Sequence, residues 1–199
     1  MLILTKSLLV YDITVDKIKS KERKWTIMEH TRNKTYELVI TALFIALTYV
    51  ATWLINIRLP LIGSGGLIHL GNVPLFVGAM LYGRRTGALA GAFGMGLFDL
   101  FSGWTAWAPF TFVIVGAMGY VVGLMAEKKP FQNIMVNNIV SILLALVIKI
   151  VGYYFAEVIL YGNWAAPLGS IPGNIVQVAV AGVIVLVFIQ QLRKYVKTL

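Results

Sequence analysis

Apolar residues fill six stretches of the chain, approximately 38–56, 71–83, 86–102, 108–127, 132–161 and 171–192, and polar residues collect between them. Several of these stretches approach the roughly 20 residues that a helix needs to cross about 30 Å of hydrocarbon. The pattern predicts an all-α integral membrane protein, a bundle of six transmembrane helices. The second stretch is short for a span, which predicts a helix that tilts, packs deep inside the bundle or crosses incompletely. The fifth is long enough to tilt or to project beyond the membrane. Connections fall at 58–70, 84–85, 102–107, 127–130 and 162–170.

The basic residues give this bundle an orientation. Eight Lys and Arg lie in residues 1–37, two at Arg84-Arg85, two at Lys128-Lys129, and three at Arg193, Lys194 and Lys197. With six spans all of them fall on one side. The opposite loops hold only Arg58, and Lys149 falls inside a span. Cytoplasmic loops carry the excess of Lys and Arg, so both termini are expected in the cytoplasm. Residues 1–36 then read as a cytoplasmic N-terminal extension and residues 37–195 as a six-helix membrane domain that binds substrate.

Composition narrows the class further. The 199 residues are 59% hydrophobic and 13% charged, with mean hydropathy +0.83, whereas a soluble domain carries about 25% charge. The net charge of +9 would suggest nucleic acid if it formed one surface. Here the basic residues alternate with membrane stretches, so they report topology, and no nucleic-acid partner is expected. The absence of cysteine excludes disulfides, thiolate metal sites and a cysteine nucleophile. No G-x-x-x-x-G-K-[ST], H-E-x-x-H or G-x-S-x-G occurs, so neither a P-loop ATPase nor these hydrolase chemistries are expected. Neither a metal nor a cofactor is predicted.

Lys149 interrupts an otherwise apolar stretch, Ser141-Ile-Leu-Leu-Ala-Leu-Val-Ile-Lys149 and onward to Leu160. An ammonium at that depth costs roughly 2.5–3.5 kcal/mol on insertion scales. Either it faces a functional interior, or it snorkels to the interface or pairs with a carboxylate; its near-central position argues against snorkelling. Tyr153 and Glu157 follow at i+4 and i+8 on the same helical face. Asn174 and Gln177 share a face early in the last stretch, just after Pro172.

The orientation brings Asp99, the outer-loop Trp104 and Trp107, and His69 at the end of a Gly-rich loop to the same outer half. Five regions thus converge on one outward-facing cavity, and the inner half is expected to be poor in polar groups. Amides offer paired donors and acceptors, indoles stack, and Lys or Asp complements a ligand charge, which suits a small polar, aromatic solute. Each member has a plainer reading. The indoles serve as interfacial anchors. Asp99 neutralises Lys149, the amides tie helices together, and Glu157 merely ends a helix. Small residues recur at Gly83, Gly87 and Gly91, and at Ala42 and Ala46, the spacing that lets membrane helices approach closely.

With these features the chain resembles the substrate-binding S components of energy-coupling factor (ECF) vitamin transporters. The resemblance covers roughly residues 37–195. It rests on the six stretches, on Ala42-Leu-Phe-Ile-Ala46 and on Gly71-Asn-Val-Pro-Leu-Phe-Val-Gly-Ala-Met-Leu-Tyr-Gly83. Phe98-Asp-Leu-Phe-Ser-Gly-Trp104 and Ile171-Pro-Gly-Asn-Ile-Val-Gln177 add to it. It looks closest to members for hydroxymethylpyrimidine- or pyridoxine-type substrates, with riboflavin-type members as cousins.

The resemblance implies a non-enzymatic capture subunit in a prokaryotic plasma membrane. Its outer cavity would be capped by the loop 58–70, and a membrane T component and two cytoplasmic ATPases would be its partners. It further implies that Ala42 and Ala46 pack on the T component and that the whole subunit topples to release ligand inside. His69, Asp99, Trp104, Trp107, Lys149, Tyr153, Asn174 and Gln177 stand as the candidate substrate-binding residues. The competing expectation is an autonomous secondary transporter, although such proteins often carry internal repeats and this sequence has no convincing one.

Overall fold

The computed structural model describes residues 34–58 and 67–196. The chain divides into two compact units, residues 1–39 and 40–199, and of the first only 34–39, the opening of a helix, are described. The expected N-terminal extension therefore lies almost wholly outside the described residues, as does 59–66 of the expected capping loop.

Helix α1 (Lys34–Leu54) leads to a two-stranded antiparallel ribbon, β1 (Asn56–Arg58) and β2 (Leu67–His69), with Asn56 opposite His69. Helices α2 (Asn72–Phe101), α3 (Ala108–Lys128) and α4 (Ile134–Tyr161) follow, and a 3₁₀ turn (Ala166–Ser170) enters α5 (Ile171–Val196). Four helices are long and apolar enough to cross a membrane: α1, α3, α4, and α5 with its 3₁₀ entry. The ribbon is the departure from an all-helical expectation. Strands of three residues are too short to print a hydrophobic alternation.

Helix α2 is continuous in hydrogen bonding only by assignment. Gly83 stands at φ 87°, a left-handed value that glycine adopts without penalty, and the chain doubles back there. A Cβ on Gly87 would meet Ala79, one on Gly91 would meet Leu75, and one on Gly71 would meet Met95. Each pair is symmetric about Gly83, so arms 72–82 and 84–101 lie antiparallel. The first arm spans about 16 Å at 1.5 Å per residue, short of the hydrocarbon thickness. It is buried deep in the bundle, with Leu75, Phe76 and Ala79 inaccessible to solvent. This matches the deep packing expected of the short second stretch.

The small-residue row is a packing device within the chain. Gly87 abuts the backbone of Gly119, Gly91 that of Val115, and Gly123 that of Arg84, so the second arm of α2 and α3 cross backbone to backbone. Side chains at these positions would force the helices apart. Helix α1 packs over both arms, with Phe44 against Gly78 and Thr48 against Gly94, while Thr41 and Thr86 share a buried hydrogen bond of 3.0 Å.

The contacts also sort the polar groups by end. Arg84 and Glu127 form an ion pair at 3.5 Å, and Asn137 donates to the Met125 carbonyl. Arg193 donates to Asn138. Arg84, Arg85, Lys128, Lys129, Arg193 and Lys194 therefore gather at one end of the bundle. His69, Asp99, Thr111, Tyr153 and Gln177 gather at the other. The basic end is not poor in buried polar groups as expected, because Asn137, Asn138, Ser141 and Thr86 are all buried there.

Candidate functional site

At the end opposite the basic residues, α4 presents one inward face. Lys149 and Glu157 are buried, and Tyr153 packs on the core between them. The spacing i, i+4, i+8 aligns them, and the small Gly152, pressed against Ile114, draws α4 onto α3 beside them. Lys149 is 2% exposed. Its Nζ stands 5.4 Å from the centre of the Tyr153 ring, within cation–π range.

The expected pairing of Lys149 with Asp99 takes a different form. Among the described residues no carboxylate lies within 4.0 Å of the Lys149 ammonium. Asp99, near the end of α2, accepts instead from the Thr111 hydroxyl, and Thr111 in turn meets the Tyr153 hydroxyl at 2.9 Å. The chain Asp99–Thr111–Tyr153 links α2, α3 and α4, and the Lys149 charge acts on Asp99 through space.

Ribbon and α5 close another side. The His69 carbonyl accepts from Gln177 Nε2 at 3.2 Å, and Gln177 is almost fully buried. The Gly71 amide donates to His69 Nδ1 at 3.2 Å, which assigns the ring proton to Nε2. Burial, with the Lys149 charge as a second cause, holds the imidazole well below its ordinary pKa. His69 is thus a neutral ring that carries its proton on Nε2. Asn174 lies one turn before Gln177 and is half-buried.

Residues not anticipated complete the site. Asn72, at the start of α2, is fully buried, and neither its amide oxygen nor its nitrogen has a partner among the described residues. The hydroxyl of Thr48 is likewise buried and unpartnered, one turn from Thr52, whose hydroxyl bonds the Thr48 carbonyl at 2.7 Å. A buried unsatisfied group costs about 1–3 kcal/mol, so these atoms represent hydrogen-bonding capacity held in reserve. Asn72 stood in the motif Gly71-Asn-Val-Pro, and its position at a helix start was the available signal. Thr48 and Thr111 carried none, because threonine in an apolar helix commonly bonds its own backbone.

Two expected members sit apart from this core. Trp104 and Trp107 meet edge to face at 5.2 Å, and Trp107 meets Tyr161 at 6.0 Å. They form an aromatic corner between α2, α3 and α4 at the same end, the position of an interfacial anchor. Glu157, expected only to end a helix, is 8% exposed and accepts from Ser170 at 2.8 Å, which ties α4 to the entry of α5. Among the described residues no three His, Cys, Asp or Glu side chains cluster at metal-binding distance.

This arrangement offers cationic, anionic, amide and hydroxyl groups in a buried polar set walled by Tyr153 and apolar helices. It can hold a small neutral or zwitterionic ring by several hydrogen bonds. The family model for the "ECF-type riboflavin transporter, S component" matches residues 32–194. The thiamine precursor transporter HmpT of Lactococcus lactis subsp. cremoris (strain MG1363) is 31% identical over 149 residues, 74% of this chain and 82% of HmpT. An uncharacterised protein from the gap 3′ region of Pyrococcus woesei is 31% identical over 130 residues, 65% of this chain and 83% of its own length. The solved S component of a bacterial ECF transporter superimposes with TM-score 0.66 at 17% identity, over 82% of this chain and 99% of that one.

Proposed function

The chain belongs to the ECF S-component family, and from that premise we propose that it captures a hydroxymethylpyrimidine- or pyridoxine-type vitamin precursor from outside the cell. It is a multi-pass protein of the prokaryotic plasma membrane and a transporter component rather than an enzyme. In our reading it crosses the bilayer six times, counting both arms of α2, with the basic end and both termini in the cytoplasm. Residues 37–195 form the capture domain, and a T component with two ATPases supplies the energy. Ala42 and Ala46, both exposed on α1, are the proposed docking face for the T component.

The observation that carries this reading is the polar end of the bundle. Among the described residues Lys149 is buried without an ion pair and the Asn72 amide without a partner, at the end of the bundle where a network fixes Asp99, Tyr153 and Gln177. A heteroaromatic ring with nitrogen acceptors and a hydroxymethyl group would use the Lys149 and Asn72 donors and the Asn72 carbonyl. Trp104 and Trp107 would line the entrance, and Asn174 the wall next to Gln177.

The similarity to a riboflavin family model favours a second reading, riboflavin as ligand. Thermal unfolding of the purified protein with each vitamin in turn separates the two. Ligand at about 100 times its dissociation constant stabilises by about 2.7 kcal/mol, a rise of several degrees. A shift with hydroxymethylpyrimidine or pyridoxine and none with riboflavin supports the proposal. A shift with riboflavin alone replaces it, and no shift with any water-soluble vitamin removes it.

A further inference from the structure

Asn72 is fully buried at the start of the first arm of α2, and both polar atoms of its side chain lack a partner among the described residues. Helix geometry gives the direction in which it points, because the contacts of its neighbours map the faces of the arm. Gly71 and Gly78 face α1, against Thr52 and Phe44, while Leu75 and Ala79 face the second arm, against Gly91 and Gly87. Val73 and Val77 line a groove with Ile184 and Phe188 of α5. At 3.6 residues per turn Asn72 lies about 60° round from Leu75, between the face toward the second arm and the face toward α5. Helix α4 occupies that sector, since its Gly152 presses on Ile114 of α3 and its Ile142 packs at Gly182 of α5. Lys149 follows Ile142 by two turns on the same inward face and is buried there. The Lys149 charge is also felt at His69, three residues before Asn72, which puts lysine and amide at the same end of this interior.

An amide carries a donor and an acceptor side by side, and Asn72 has spent neither. Its complement is an edge on which a ring nitrogen stands next to an exocyclic amino group, the two-point match that asparagine makes with adenine. Proton counting at Tyr153 adds a second requirement. Thr111 spends its single hydroxyl proton on Asp99, so the Tyr153 hydroxyl donates to Thr111 and its oxygen keeps only acceptor capacity for a solute. A matching solute therefore brings N–H or O–H donors as well as acceptors for Lys149.

We propose that Asn72 is a specificity-determining residue of the capture site and selects an aminopyrimidine by pairing with its amino and ring-nitrogen edge. The inference rests on the capture function proposed above and narrows it from two ring classes to one. Pyridoxine has no amino group, and its ring nitrogen is flanked by a methyl group and a C–H, so that edge meets the amide at one point only. A site built to hydrogen-bond a ligand group discriminates against the analogue that lacks it, because its own buried polar atom is then left unpaired. A flavin ring also sets a donor beside an acceptor, so riboflavin is separated by the unfolding panel above and not by Asn72.

The test is calorimetric titration of the purified full chain with 4-amino-5-hydroxymethyl-2-methylpyrimidine, its 4-desamino analogue and pyridoxine. Loss of the amino group should weaken binding to the wild type about 10- to 100-fold, and pyridoxine should bind no better than the desamino ring. Asn72→Leu, close in size and without polar atoms, should bind the two pyrimidines within about threefold of each other. Asn72→Ala serves the same comparison if the leucine does not pack. A purely structural Asn72 would lower both affinities and keep their ratio. Equal binding of the two pyrimidines by the wild type, a ratio kept in the Asn72 variants, or tighter binding of pyridoxine than of the aminopyrimidine would overturn this assignment and leave capture of a ring vitamin standing. Binding of none of the three would remove the capture function proposed above, and this inference with it.

Discussion

Replacing Lys149 by methionine should change stability and affinity in opposite directions. Methionine keeps the unbranched stem and removes the charge. The ammonium is 2% exposed and has no carboxylate within 4.0 Å among the described residues. Its insertion penalty of roughly 2.5–3.5 kcal/mol is offset in part by the Tyr153 ring, a contact worth about 0.5–2 kcal/mol. Removing both should stabilise the empty protein by about 0.5–3 kcal/mol, a rise of roughly 1–12 °C in Tm at this size. With ligand present the same change deletes a charge-assisted hydrogen bond of about 1.5–3 kcal/mol. Affinity should then fall on the order of 10- to 100-fold. The assay is thermal unfolding of the protein stripped of ligand, paired with calorimetric titration of the vitamin that stabilises the wild type. A lower Tm with unchanged affinity would show that Lys149 is a structural residue and would refute the reasoning.

Three further outcomes follow from the geometry. Gly87→Leu places a side chain against the Gly119 backbone and should destabilise by about 1–3 kcal/mol or more, visible as a lower Tm; an unchanged Tm would show that the α2–α3 crossing is not as tight as described. Ala42→Trp or Ala46→Trp should leave vitamin binding intact while abolishing copurification with the T component; loss of binding instead would place α1's exposed face in the pocket's support. His69 is held neutral below its ordinary pKa of 6.5, so the unfolded chain binds more protons as pH falls below that value. Stability should therefore drop on acidification from about pH 6.5, by up to about 1.4 kcal/mol per pH unit. The thermal pH profile of His69→Gln should be flatter over that window, and identical profiles would contradict the assignment.

Much of this was legible in the sequence because membrane physics writes strongly. The long apolar stretches became α1, α3, α4 and α5, and the split at Arg84-Arg85 marked the place where α2 doubles back at Gly83. The Lys149, Tyr153 and Glu157 face could be read because a helix in hydrocarbon has few polar residues, so periodicity among them stands out. The β1–β2 ribbon could not, since three-residue strands carry no usable alternation. The hydrogen-bond partner of Asp99 was not legible for a different reason. Opposite charges in an apolar setting suggest an ion pair, but the Thr111 hydroxyl offers Asp99 a neutral donor, and nothing in the sequence ranks a threonine above a lysine. Asn72 stood in the Gly71-Asn-Val-Pro motif without a role of its own, although its amide is buried with no partner among the described residues. Asn137 and Asn138, buried at the basic end, lie inside the fifth apolar stretch, and a pattern of apolar residues does not say whether an asparagine within it faces the bundle.

The central claim is that this chain captures solute without moving it unaided. Proteoliposomes containing the chain alone, given radiolabelled hydroxymethylpyrimidine with and without an imposed proton gradient, test it directly. Saturable binding approaching one molecule per chain is expected, with no accumulation under either condition and uptake only when the T component and ATPases are added with ATP. Gradient-driven accumulation by the chain alone would contradict it and establish a secondary transporter.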